Sequence, residues 1–235
     1  MINITDLNKN LDKYIAMVGD PQDLVNNHQE ARVTLYESLL VGSIAIRAKE
    51  RGVESLDKVI PVISTILEWL RNNDFYTCPA STKYHEAFHG GLLLHSLKVY
   101  NKLTELHQLK SFSKVNMGSA TLVALTHDWC KIGKYEPYFR NEKNQKTGLW
   151  EEKLAYKHSD KYLGLGHGPQ SLMMVSQFCC TKYTNLSFDE MAAIRWHMYT
   201  YDVTSYDISD LNNCNNKIPL VTMIQFADQM AAGDM

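Results

Sequence analysis

A histidine followed directly by an aspartate, His127-Asp128, is the segment of this chain best suited to chemistry. The preceding residues 120–126 are apolar apart from two threonines, which predicts a mostly buried helix that carries the pair. Neighbouring residues on a helix do not normally share a face, and burying an imidazole and a carboxylate costs free energy. A divalent metal ion binds both groups together and removes that cost. We therefore expect a metal site at this pair.

Four other residues could complete the ligand set, because each lies in or beside a segment predicted to be helical. They are His95, His167, His197 and Asp228. Asp228 lies in the apolar segment 224–232, where a carboxylate is usually paired, capping or bound to a metal. A lone histidine on an apolar helix is more often a hydrogen-bonded core residue than a ligand. Several such residues on separate helices favour a shared metal site.

The hydrophobic pattern predicts a mostly helical chain around these residues. Helices are expected at 35–51, 55–72, 92–106, 119–132, 170–180, 187–197 and 219–232. Residues 74–89 have no clear period, and the polar segment 199–217 is expected to be a loop. A polar turn signal at 141–148 lies between aromatic segments and predicts a β-hairpin from Phe139 to Lys157. The N-terminal helices are expected to pack outside the part that carries the chemistry.

Composition excludes several classes of protein. At 235 residues with 45% hydrophobic content, the chain is long enough for one large domain, or for a domain with a helical appendage. A net charge of −2 excludes a global basic field of the kind that binds nucleic acid. The five cysteines are odd in number and form no CxxC pair, which predicts free thiols in a reducing cytoplasm. The pattern contains no secretory signal and no stretch able to cross a bilayer, so no membrane association is expected.

The order His95, His127-Asp128, Asp228 resembles the H…HD…D signature of the HD-domain superfamily of metal-dependent phosphohydrolases. Residues 90–97 resemble the family's G-G-L-x-x-H-[ST] helix start, residues 127–134 its H-D-x-x-K-x-G-K step, and residues 226–228 its late [YFV]-A-D. The bacterial 3'-5' exoribonuclease branch is particularly similar, because there too a histidine-containing segment, here 85–89, precedes the Gly-Gly. The resemblance covers about residues 77–232.

The resemblance implies an all-α fold, an HD-domain helical bundle with extra N-terminal helices and a small β-hairpin insertion. It divides the chain into an N-terminal helical extension, 1–75, packed on the core, and an HD domain, 76–235. His95, His127, Asp128 and Asp228 would bind a first metal ion. This ligand set suits Mn²⁺, Fe²⁺, Ni²⁺, Co²⁺ or Zn²⁺. Asp128 and Lys131 would be catalytic, the lysine by stabilising charge on a phosphoryl oxygen.

His167 and His197 lie between the HD step and the last aspartate, where family members with two metal ions carry extra histidines. They would then bind a second ion; the alternative is that they bind substrate phosphate or act as acids. Further substrate contacts are expected from the residues around the motifs and in the hairpin. These are His85, His89, Lys131, Arg140 and Arg195.

The function that the resemblance implies is hydrolysis of a phosphate ester or anhydride by a metal-activated water. The substrate would be a small phosphorylated compound, a nucleotide or short oligonucleotide, since an acidic-to-neutral chain favours a small nucleotide over long nucleic acid. Two alternatives remain: a di-iron oxygenase of the HD type, which uses the same ligands, and a non-catalytic nucleotide-sensing module. A homo-oligomer is compatible with each of these functions, including the phosphohydrolase.

Overall fold

The computed structural model describes residues 1–24 and 28–233. Within them the chain forms nine α-helices and one antiparallel two-stranded sheet, so the mostly helical fold with a small hairpin is confirmed. The helices are α1 (Leu7–Ala16), α2 (Gln29–Glu50), α3 (Ile60–Asn72), α4 (Gly91–His107), α5 (Met117–Thr126), α6 (His167–Phe178), α7 (Phe188–Trp196), α8 (Ile208–Lys217) and α9 (Pro219–Gly233). The strands are β1 (Tyr135–Lys143) and β2 (Trp150–His158).

The core lies between α2, α4, α5 and α9, with α4 against α9 and α2 against α5. One hydrophobic cluster joins residues from all of these helices, including the fully buried Tyr36, Leu39 and Ile44 of α2. The core therefore continues across residue 75, and the division of the chain at that point stays a prediction. No helix in the described ranges is long and apolar enough to cross a membrane.

A hydrogen-bonded chain connects α2 to the His-Asp segment. Trp129 Nε1 donates to Tyr36 Oη at 3.0 Å, and Tyr36 Oη donates to the carbonyl of Leu125 at 2.7 Å. Burial raises the pKa of Tyr36, so the hydroxyl keeps the proton that it donates. An N-terminal helix thus supports the segment that carries His127 and Asp128.

The predicted helix over 119–132 is wrong at its end. Helix α5 stops at Thr126, whose hydroxyl bonds back to the Leu122 carbonyl at 2.8 Å, an interaction that bends helices. Asp128 has φ −108° and ψ 17°, and a short 3₁₀ turn follows over Trp129–Lys131. Because the pair lies beyond the helix, its two side chains point to the same side, with His127 Nε2 3.5 Å from Asp128 Oδ2.

The predicted loop over 199–217 is also wrong. It contains a 3₁₀ turn, Tyr199–Asp202, and helix α8. The asparagines of this segment have low helix propensity, but Leu211 is buried and α8 packs on α9. Tertiary contact therefore outweighed local propensity.

The hairpin pairs Tyr135 with His158 at its base and Lys143 with Trp150 near its tip. Its strands are mostly exposed, apart from Ala155 and Tyr156 of β2, which are buried. The base of the hairpin follows directly from the His-Asp segment, so the hairpin rises beside the site.

Candidate metal centre

Histidines and carboxylates from five helices or helix ends meet inside the bundle. The first group consists of His95 on α4, His127 after α5 and Asp228 on α9. His95 Nε2 lies 3.0 Å from Asp228 Oδ1, and His127 Nε2 lies 3.8 Å from the same oxygen. Both histidines are fully buried.

The second group consists of Asp128, His167 and His197. His167 Nε2 lies 2.8 Å from Asp128 Oδ1, and His197 Nε2 lies 3.6 Å from it. His167 is the first residue of α6, and His197 directly follows α7. The rings of these two histidines are 5.6 Å apart, so they face the carboxylate together.

Asp128 joins the two groups. Its Oδ2 lies 3.5 Å from the Nε2 atoms of both His95 and His127, while Oδ1 faces the second group. Lys131 Nζ lies 2.6 Å from Oδ2. One buried carboxylate is therefore shared by two clusters of ligand atoms and one cation.

Local capping signals place the second group. Helix α7 begins with a capping box between Ser187 and Glu190, and His197 follows its other end. Helix α6 begins after Gly166, whose φ of 89° suits glycine. The amide of Gly168 in its first turn donates to Asp202 Oδ2 at 2.7 Å, a favourable place for a carboxylate.

The histidine rings are oriented toward the centre. Nδ1 of His127 donates to the Ala124 carbonyl at 2.9 Å, and Nδ1 of His197 donates to the Ile194 carbonyl at 2.7 Å. These bonds leave the Nε2 atoms with free lone pairs. In the part of the chain that the structure describes, Nε2 of His95, His127 and His197 is buried with no hydrogen-bond partner. Such orphaned nitrogens beside carboxylates fit a divalent cation, so these residues could hold a metal ion.

The charges at the centre support each other. Burial raises the pKa of Asp128, but Lys131 and His127 outweigh it and hold the pKa well below its usual range. Burial lowers the pKa of Lys131, yet Asp128 raises it overall. Both groups are therefore ionised in the folded protein. Burial alone would lower the pKa of His95, but Asp228 and Glu86 raise it to about 9.

The pKa values of His167 and His197 are shifted in opposite directions. Burial dominates for His167 and lowers its pKa. For His197 burial is outweighed by Asp128, so its pKa is raised. A bound cation adds positive charge to the centre and favours the neutral, ligating form of every ring.

A cleft of about 760 Å³ opens onto the centre. Its floor is formed by Asp128, Lys131, His167, His197 and Asp228. Its walls include Tyr84 and Tyr201, which are 80% and 84% exposed. The metal-ligand groups are thus accessible to a ligand of small-molecule size.

The structure brings only some of the predicted substrate contacts to this cleft. His85 lines it, with its ring centroid 4.8 Å from that of His95. His89 is exposed and faces a separate groove beside His28. Arg140 lies on the exposed hairpin, 3.0 Å from Glu142.

Arg195 is likewise held away from the centre. Its guanidinium stacks 3.9 Å from the ring of Trp196 and lies near the carboxylates of Asp202 and Asp207. It shares a helix end with His197 but points to another side. Proximity in sequence therefore did not bring this cation into the cleft.

Glu86 is a buried group at the centre that the sequence did not single out. Its Oε2 lies 3.5 Å from His95 Nδ1, although nine positions separate the two residues and the loop between them has no periodicity. The His-containing segment before the Gly-Gly was the available signal, but it drew attention to the histidines.

No family model, curated protein or solved structure matches this chain.

Proposed function

We propose that this protein is a metal-dependent phosphohydrolase of the HD type that acts on a nucleotide or short oligonucleotide. The observation that carries the proposal is the position of Asp128. One of its oxygens faces the first group and the other faces the second, at the floor of an open cleft. Lys131 adds a buried ammonium group at the same carboxylate.

Two ions can be assigned to ligands. His95, His127, Asp228 and Asp128 Oδ2 would hold the first, and His167, His197 and Asp128 Oδ1 would hold the second. Mixed imidazole and carboxylate ligands suit Mn²⁺, Fe²⁺, Co²⁺, Ni²⁺ or Zn²⁺. When bound, such ions supply Lewis acidity toward a phosphoryl oxygen and lower the pKa of water.

The protein's own groups position the reacting atoms. Lys131 presents a cation to the cleft, where it can bind a phosphoryl oxygen as negative charge develops. The carboxylate of Asp128 can accept a hydrogen bond from the attacking water and so orient it. His85, in the cleft wall, can donate to another phosphoryl oxygen.

The walls of the cleft support a substrate with an aromatic part. Tyr84 and Tyr201 expose rings on which a nucleobase can stack. The lysines among the described lining residues are Lys83 and Lys131. Two cations match the charge of a single phosphate group better than that of a long nucleic acid.

Metal analysis followed by a substrate screen tests the proposal. The purified protein should contain one or two equivalents of a transition metal and release phosphate or nucleotide from a panel of nucleotides and dinucleotides supplied with Mn²⁺, Co²⁺ or Ni²⁺. Asp128→Asn should lose both metal and activity, because both groups lose their shared ligand. The exposed Asp160→Asn is the matched control and should retain both.

Two outcomes would contradict the proposal. Full metal content and activity in Asp128→Asn would show that Asp128 is not a shared ligand of the two groups. Two equivalents of iron with dioxygen consumption and no phosphate release would favour the di-iron oxygenase, which can use the same shared carboxylate. Lys131 favours phosphate chemistry, since its ammonium group lines the cleft beside Asp128, where a phosphoryl oxygen can bind.

A further inference from the structure

Glu86 lies in the loop before α4 and is 8% exposed. Its Oε1 accepts a hydrogen bond from Lys98 Nζ at 2.7 Å. Its Oε2 faces His95 Nδ1 at 3.5 Å, somewhat longer than a hydrogen bond, and neither of these two atoms has a hydrogen-bond partner among the described residues. The carboxylate is therefore anchored on one side and directed at a ligand histidine on the other.

In the other two buried histidines, Nδ1 has a backbone acceptor instead of a carboxylate. Nδ1 of His127 and of His197 donates to the backbone carbonyl three residues earlier, at the end of its helix. His95 lies inside α4, where the corresponding carbonyl of Leu92 accepts the hydroxyl of Ser96 instead. Glu86 thus faces the Nδ1 atom of His95, which alone among the three buried histidines of the described ranges has no backbone acceptor.

The backbone is built to bring Glu86 to this position. Glu86 has a φ of 44°, a left-handed conformation that is uncommon for a residue with a side chain. A Cβ atom at Gly91 would lie 1.9 Å from the carbonyl oxygen of Glu86, so only glycine lets the loop approach the start of α4. The same carbonyl accepts the amide of Ala80 at 3.1 Å.

We propose that Glu86 is a positioning residue that accepts the Nδ1 proton of His95 and so presents the Nε2 lone pair of His95 to the first metal ion. The inference rests on the metal site of the proposed function. A carboxylate partner fixes the ring and makes the imidazole a stronger donor than a carbonyl partner does. Lys98 holds the carboxylate in place.

A direct role for Glu86 as a metal ligand is less consistent with its surroundings. His85, Glu86 and His95 do bring ligand atoms close together. However, Oε1 of Glu86 already accepts a hydrogen bond from Lys98, and Oε2 faces Nδ1 of His95. His95 Nε2, on the opposite side of the ring, faces the two aspartates instead.

Metal titration of Glu86→Gln tests the inference, because glutamine keeps the size of the side chain and removes its charge. The apoprotein is titrated with Mn²⁺, with free Mn²⁺ followed by electron paramagnetic resonance. The dissociation constant of the first ion should rise about 10- to 100-fold relative to the wild type. Glu37→Gln is the matched control: Glu37 is also buried and paired with an arginine, Arg71, so its loss should lower the unfolding temperature and leave Mn²⁺ affinity unchanged.

Nitrogen-15 shifts of the His95 ring in the Zn²⁺-loaded wild type give a second measurement that does not depend on a variant folding. Nδ1 should be protonated and Nε2 bound to the metal. Wild-type affinity in Glu86→Gln, or a protonated Nε2, would overturn the role of Glu86 alone. If the wild type itself binds none of these ions, the proposed function fails together with this inference.

Discussion

Asp128 and its immediate neighbours show how single residues determine this centre. The carboxylate is 3% exposed and would be costly to bury alone, but Lys131 lies against it and four histidines surround it. Because α5 ends before the pair, His127 and Asp128 can face one centre. The chemistry therefore depends on a helix end as much as on residue types.

Lys131→Met should reduce kcat by about 10²- to 10³-fold while metal content stays the same, because methionine fills the space but offers no charge to a phosphoryl oxygen. The measurement is steady-state kinetics on the best substrate of the screen, with metal content determined on the same preparation. Lys83→Met removes an exposed lysine of the same cleft and should mainly raise KM. An unchanged kcat in Lys131→Met would mean that the lysine only balances the charge of Asp128.

At the scale of the elements, the approach of α6 to α7 decides whether a second group exists. A Cβ atom at Gly168 would lie 2.0 Å from the carbonyl oxygen of Arg195, so the two helix ends touch through backbone. This contact brings His167 and His197 to the same oxygen of Asp128. The glycine is needed for space, since its φ is not in the left-handed region.

Gly168→Ala should lower the free energy of unfolding by about 1–3 kcal/mol, although alanine is normally the better helix former. The displaced helix end should also lower the affinity for the second ion more than the affinity for the first. Denaturant unfolding and metal titration measure the two effects. Gly233→Ala, on a helix where no atom lies within 4 Å of the added carbon, is the control and should be neutral or slightly stabilising. Equal losses in both variants would contradict the steric explanation.

At the scale of the whole molecule, a buried ion pair joins the N-terminal helices to the second group. Arg47 of α2 binds both carboxylate oxygens of Glu190 of α7, at 2.5 and 2.7 Å, and Arg51 lies 3.9 Å from the same carboxylate. Glu190 also completes the capping box of α7, the helix that His197 follows. Helix α2 thus supports both histidine groups, through Tyr36 and through Arg47.

Because of this ion pair, the stability of the folded protein should depend on pH in the acid range. Burial raises the pKa of Glu190, but Arg47 outweighs it, so the folded pKa lies below the ordinary value of 4.5. The stabilisation is therefore fully present above pH 4.5 and is lost as the pH falls through the folded pKa. The thermal unfolding temperature of the wild type should therefore decrease as the pH is lowered below 4.5.

Glu190→Gln keeps the cap but leaves Arg47 buried without a counter-charge, so it should be less stable at pH 7 by about 3–5 kcal/mol. Its unfolding temperature should fall less than that of the wild type between pH 6 and pH 3. Parallel pH profiles for the two proteins would show that the pair does not carry the acid dependence.

Much of the helical arrangement was predictable because apolar residues at helical spacing mark a buried face. The same pattern made His95 and Asp228 visible, since polar residues stand out on apolar helices. The boundaries were less predictable: α5 ends early, at Thr126, and α8, with its buried Leu211, is a helix where composition predicted a loop. Propensity is weak compared with packing at such places.

The residue types at the centre and their order were readable from the chain, and their role as metal ligands stays a prediction. Only the tertiary structure divided them into two groups that share Asp128, added Glu86 beside His95, and turned Arg195 toward Trp196 and its acidic neighbours. The physical reason is that such contacts depend on which helix faces meet and how closely the backbones approach. Neither is encoded in the spacing along one helix.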